Sequence, residues 1–95
     1  MGFYSTDVLE RGIIMEKQIL IKSTHGLHAS LAAKVVQAAT KYNAVIELHY
    51  EDIIVDLKSL LSLISLAIPN GVNVKIIAKG DDAEKALLDI SKILG

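Results

Sequence analysis

Residues 17–41 read KQILIKSTHGLHASLAAKVVQAATK, and this stretch sets the reading of the whole chain. Lys17-Gln18-Ile19-Leu20-Ile21-Lys22 reads as a strand. From Ala29 to Lys41, Ala32, Val35, Val36 and Ala39 recur at helical spacing, with Leu31, Ala38 and Tyr42 widening the apolar face. Between the two lies Gly26-Leu27-His28-Ala29-Ser30, which puts a histidine where strand gives way to helix. The first helical turn carries free N–H groups and a partial positive charge, so an anion held on that imidazole is received by backbone donors. Gly26 permits close backbone approach ahead of the site. Ser30 holds the helix start or hydrogen-bonds an incoming phosphate. A neutral imidazole is nucleophilic near pH 7, and a phosphorylated nitrogen is a good leaving group to another imidazole. The pentapeptide alone does not decide the matter, since most histidines near helix starts are solvated or act as caps.

Downstream, Val45 to Tyr50 alternates apolar and polar residues as a half-buried strand does. Glu51-Asp52 is a turn, and Ile53 to Leu57 pairs back as a hairpin. Ser59 caps a short helix from Leu60 to Leu66, and Pro69-Asn70-Gly71 marks a loop. Val72 to Lys79 is a strand with Val72, Val74, Ile76 and Ala78 on one face. Asp81 followed by Glu84 resembles a capping box. The last helix gathers Ala83, Ala86, Leu87, Ile90, Ile93 and Leu94 on one side. The order β-α-β-β-α-β-α predicts an α+β open-faced β-sandwich, a four-stranded antiparallel sheet covered on one face by three helices.

The 95 residues fit one domain, expected over residues 15–95 with Met15 at its start. Residues 1–14 do not join the pattern and read as an extension, either a start placed too early or a short disordered or docking tail. Met1-Gly2 followed by Thr6 matches a myristoylation pattern too short to carry weight. Apolar residues make up 52% of the chain and aromatic residues 4%, so the core is aliphatic. The absence of cysteine excludes disulfides and thiolate metal sites, which points to a cytoplasmic protein. Net charge is −1, and the nine lysines are scattered, with Arg11 the single arginine. With no basic stripe and no aromatic platform, nucleic acid is not an expected partner. Apolar runs such as Ala44-Val45-Ile46 are far too short for membrane insertion, and the N-terminus lacks the pattern of a secretory signal.

Two further constellations stand out. His25 and His28 are three residues apart, but a metal site needs a third ligand on the same face and no carboxylate is near in sequence, so no metal is expected. His49 faces out of its strand and reads as solvated. Lys58-Ser59-Leu60-Leu61-Ser62-Leu63-Ile64 is the other. The plain reading is a capped, buried helix, but Leu60, Leu61, Leu63, Ile64, Leu66 and Ala67 exceed what one face of a short helix buries. Some are therefore exposed, as at a partner site. A phosphate on Ser59 would add charge beside that patch.

Taken together, Gly26-Leu27-His28-Ala29, Ala39-Thr40-Lys41-Tyr42, Val55-Asp56-Leu57-Lys58-Ser59 and Leu63-Ile64-Ser65-Leu66-Ala67-Ile68 resemble HPr, the histidine-containing phosphocarrier family of the bacterial phosphoenolpyruvate:sugar phosphotransferase system. The resemblance runs from about Glu16 to Leu94 and includes Gly71 and the closing helix. It implies that His28 becomes a phosphohistidine, taking phosphate from enzyme I and passing it to enzyme IIA proteins of a sugar transport system. It implies a monomer without cofactor, a phosphoryl carrier rather than a free-standing enzyme. It places Ser59 at the regulatory phosphoserine position, the substrate of HPr kinase/phosphorylase, and Leu60, Leu61 and Ile64 in the apolar docking patch. The family's Arg-Pro pair is Ser30-Leu31 here, so Ser30 stands where the family has its phosphate-holding arginine, and a glycine of the short helix is Ser62. The related Crh-like regulators lost the histidine and kept the arginine. The alternative is therefore a regulatory paralogue with weak or no phosphotransfer, acting through phosphorylated Ser59 on a transcriptional regulator. A third reading is a binding module without phosphochemistry.

Overall fold

A sheet with helices on only one side must keep one face aliphatic and the other wettable, and the strands here alternate accordingly. The computed structural model describes residues 4–9 and 12–95, with side chains from residue 14 onward. Its strands are β1 Tyr4–Leu9, β2 Gly12–Leu20, β3 Val45–Tyr50, β4 Ile53–Asp56 and β5 Asn73–Gly80. Its helices are α1 Ala29–Thr40, α2 Leu60–Ser65 and α3 Ala83–Leu94. The strands form one antiparallel sheet in the order β1-β2-β5-β3-β4.

Met15 and Ile19 of β2, Ile46 and Leu48 of β3, and Val74, Ile76 and Ala78 of β5 are buried beneath the helices. They meet Ala32, Val35, Ala38 and Ala39 of α1, Leu63 of α2, and Ala83, Ala86, Leu87, Ile90 and Leu94 of α3. The alanines on α1 and α3 let those helices approach each other closely. On the uncovered face, Lys75 lies 3.6 Å from Glu16 and Lys79 lies 4.0 Å from Glu47. His49, read from the sequence as solvated, is half-buried there and hydrogen-bonds Glu47 at 3.0 Å.

The expected β-α-β-β-α-β-α order and the open-faced sandwich stand, with the four predicted strands present as β2-β5-β3-β4. Two corrections accompany them. Residues 4–9, assigned to an extension outside the pattern, form an edge strand on β2, pairing Tyr4 with Glu16 and Leu9 with Gly12. The register shifts between Ser5 and Asp7, which leaves Thr6 without an opposite residue. That bulge breaks the period of two by which a strand is read from sequence. Residues 1–3, 10 and 11 of that extension lie outside the described residues. The second correction concerns α3, whose N-cap is Asp82 rather than Asp81, with no side-chain capping bond. The Asp82 carboxylate instead accepts the Asn43 backbone N–H at 2.7 Å. A tertiary donor has displaced the local capping box, tying the α1–β3 loop to the start of α3. Near it, the Tyr42 hydroxyl donates to Asp89 at 2.7 Å and joins the end of α1 to α3.

Candidate functional site

His28 is the N-cap of α1, with extended backbone at φ −88° and ψ 177°. Its carbonyl accepts the Ala32 N–H at 2.8 Å and opens the helix. The N–H groups of Ala29, Ser30 and Leu31 therefore precede any intrahelical acceptor. The imidazole makes no capping hydrogen bond, and the first turn carries no acidic side chain. The half-buried ring is thus free to carry an anion beside unsatisfied donors and the positive end of the helix dipole. Because His28 takes the capping position, Ser30 does not hold the helix start. It is exposed one residue into the helix, where its hydroxyl faces solvent or an incoming anion.

The loop before His28 is fixed by its backbone. Gly26 N–H donates to Ser23 O at 2.9 Å and closes a turn. Buried Leu27 donates its N–H to Ile68 O at 2.8 Å, which ties the histidine loop to the segment that follows α2. Gly26 has φ +70°, and a Cβ there would collide with the Ile68 carbonyl oxygen and the Pro69 backbone. The requirement for glycine is therefore twofold, a left-handed backbone and close approach of a second chain segment. The sequence pointed to the close approach, but the partner segment appears only in three dimensions.

The second histidine of the loop, His25, lies beside the first. The two ring centroids are 5.9 Å apart at an interplanar angle of 75°. Among the described residues no three His, Cys, Asp or Glu side chains come together, and no helix is long and apolar enough to cross a membrane.

Ser59 is the N-cap of α2, as its position in the sequence suggests, but its hydroxyl donates to Ser62 Oγ at 2.9 Å rather than to the backbone. Just before it, the Asp56 carboxylate accepts Lys58 N–H at 2.8 Å, and Lys58 Nζ donates to Tyr42 O at 3.1 Å. These bonds fix the entry to α2. Leu63 faces the core, Ile64 packs half-buried against it, and Leu60 and Leu61 point outward, with Leu61 81% exposed. α2 packs on α1. The exposed leucines thus belong to the layer that carries His28, with the Ile68–Leu27 bond joining the two segments.

A model of the HPr component of the phosphotransferase system, described as its phosphorylation site, matches residues 15–95. The chain is 37% identical over 82 residues to a phosphocarrier protein HPr of Haloferax volcanii, covering 84% of this chain and 92% of that one. Among solved structures, a phosphocarrier protein HPr from Bacillus anthracis superposes with a TM-score of 0.83 at 32% identity, covering 86% of this chain and 98% of the other. Crh of Bacillus subtilis, a protein of catabolite repression described as a swapped, intertwined dimer, follows at a TM-score of 0.69 and 31% identity, covering 82% of this chain and 90% of that one. Fold, loop geometry and sequence converge: this chain belongs to the HPr family of phosphocarrier proteins.

Proposed function

We propose that the chain is a cytoplasmic, monomeric phosphocarrier that takes a phosphoryl group on His28 from enzyme I and delivers it to an enzyme IIA protein. The observation that carries this reading is the uncommitted His28 imidazole at the N-cap of α1, ahead of free N–H groups and with no carboxylate in the first turn. The donor is a phosphohistidine whose other ring nitrogen carries hydrogen. The lone pair of neutral His28 forms the new N–P bond while the donor's N–P bond breaks, and that electron pair returns to the donor nitrogen. The adduct takes over the ring charge that the donor loses, so no net proton is consumed. The transition state is loose, with charge spread over the phosphoryl oxygens. The backbone N–H groups and the Ser30 hydroxyl meet those oxygens, and partners dock on Leu60, Leu61 and Ile64.

A second reading has its own observation. Ser59 opens α2 directly beside exposed Leu60 and Leu61. Phosphorylation there, which would exchange the Ser62 hydrogen bond for a dianion, would change what that apolar patch accepts. In this reading the chain is a substrate of HPr kinase/phosphorylase and binds a transcriptional regulator. Incubation with phosphoenolpyruvate and enzyme I, in parallel with ATP and the kinase, separates the two. The carrier gives an acid-labile adduct that disappears in His28→Ala, whereas the regulator gives only an acid-stable adduct that disappears in Ser59→Ala.

A further inference from the structure

The geometry points to His25 as a second group of the phosphoryl site, donating an imidazolium N–H to a phosphoryl oxygen on His28. This rests on the carrier reading above and assigns a residue that it leaves unused.

The two rings approach edge to face with centroids 5.9 Å apart and no hydrogen bond joins them, so a phosphoryl group carried on His28 would stand beside the His25 ring. His25 is held where it is. It is the third residue of the turn closed by Gly26 N–H on Ser23 O at 2.9 Å, and the Leu27 to Ile68 bond follows directly at 2.8 Å. Its side chain is exposed and has no acceptor of its own among the described residues. A charge-assisted N–H···O bond to a phosphoryl oxygen is about 2.7–2.9 Å long.

Only an arriving phosphate supplies the negative charge that favours an imidazolium here. The segments around the pair are residues 22–28, α1, α2 and residues 66–72. Apart from the two histidines, their ionisable side chains are Lys22 and Lys34, both exposed, and none of these segments carries a carboxylate. Among the described residues no ion pair reaches either histidine of the pair. A phosphoryl group near −2 charge is then the nearest anion to His25, and an opposite charge at that range favours the imidazolium. A proton on each His25 ring nitrogen gives the phosphoryl oxygen a charged donor. The bond holds the phosphoryl oxygens where charge gathers in a loose transition state. Lysine at position 25 would supply the same charge without the titration.

The test uses the full chain with histidine side chains labelled for NMR, phosphorylated with phosphoramidate and with the adduct mapped to His28. The expected result is that His25 titrates at least about one pH unit higher in the phosphorylated chain than in the free chain. Titration of His25 at the same pH in both forms overturns the proposal. A kinetic arm uses enzyme I as donor. His25→Leu should still be labelled on His28, about tenfold more slowly than the parent at pH 6, with the difference closing above about pH 8. His25→Lys should match the parent at pH 6 and outpace it above about pH 8. Equal rates for parent and His25→Leu across the range would remove His25 from the site. Failure of enzyme I to label even the parent would strike at the carrier reading, while the NMR titration on the phosphoramidate adduct would still decide the role of His25.

Discussion

Gly26→Ala is expected to do more damage than its single methyl group suggests. Gly26 has φ +70°, and a left-handed backbone costs an L-residue about 1–2 kcal/mol. The added Cβ would also meet the Ile68 carbonyl oxygen, with Pro69 C and Cα at 2.9 Å. These are backbone atoms and cannot rotate aside. Relieving the overlap pushes the two segments apart and stretches the Leu27 N–H to Ile68 O bond from its 2.8 Å. Leu27 is only 3% exposed, so its donor has no ready replacement in water, at a cost of about 1–3 kcal/mol. The two effects sum to roughly 2–5 kcal/mol, or a melting point lower by about 10 °C or more for a domain of this size. Gly71→Ala is the internal control. Gly71 has φ +86° with nothing within 4 Å of an added Cβ, so it should lose only the backbone share of about 1–2 kcal/mol. Urea unfolding of both variants measures the difference. Equal losses would mean that the histidine loop does not depend on contact with the Ile68–Pro69 segment.

Three further expectations follow from particular contacts. Leu61 is 81% exposed, so Leu61→Asp should leave stability within about 0.5 kcal/mol while weakening binding to partner proteins about tenfold or more; unfolding of the variant would show the side chain to be core. Tyr42's phenol is held above its ordinary value by the hydrogen bond to Asp89, then by burial and by the charges of Asp89 and Asp82. That stabilisation is fully present below the unfolded value of about 10 and is lost as pH rises through the folded value. Tyr42→Phe should therefore be less stable than the parent at pH 7, with the gap closing above about pH 10; a constant gap in urea unfolding from neutral to alkaline pH would contradict this. A chain beginning at Met15 keeps the β2–β5 pairs from Met15 to Leu20, and should fold with a melting point within about 5 °C of the full chain. A much larger fall would mean that β1 and the first residues of β2 contribute substantially to stability.

Most of the fold was legible because its signals are local and repeated. The helical spacing of Ala32, Val35 and Ala39 and the alternation around Ile46 and Leu48 each identify an element without reference to the rest of the chain. His28 was legible because a helix start can be read from sequence and the start defines the site. What escaped depends on distant partners. Asp82 gave up capping for the Asn43 N–H, 39 positions away. Asp89, an ordinary helix-surface residue by its spacing, meets Tyr42 from 47 positions away. β1 escaped because its bulge at Thr6 interrupts the alternation. The His25–His28 spacing was visible, but a three-residue separation outside a helix does not say whether two rings meet.

Whether His28 carries phosphate between proteins is decided by phosphoryl flow in a reconstituted chain of transfer. Labelled phosphoenolpyruvate, enzyme I and an enzyme IIA are combined with the parent, with His28→Ala, or with neither, after circular dichroism has established that both chains are folded. Labelled enzyme IIA is expected only with the parent, through an acid-labile intermediate that maps to His28. Labelled enzyme I alongside unlabelled enzyme IIA and an unlabelled, folded parent would contradict it, as would label that persists on His28→Ala.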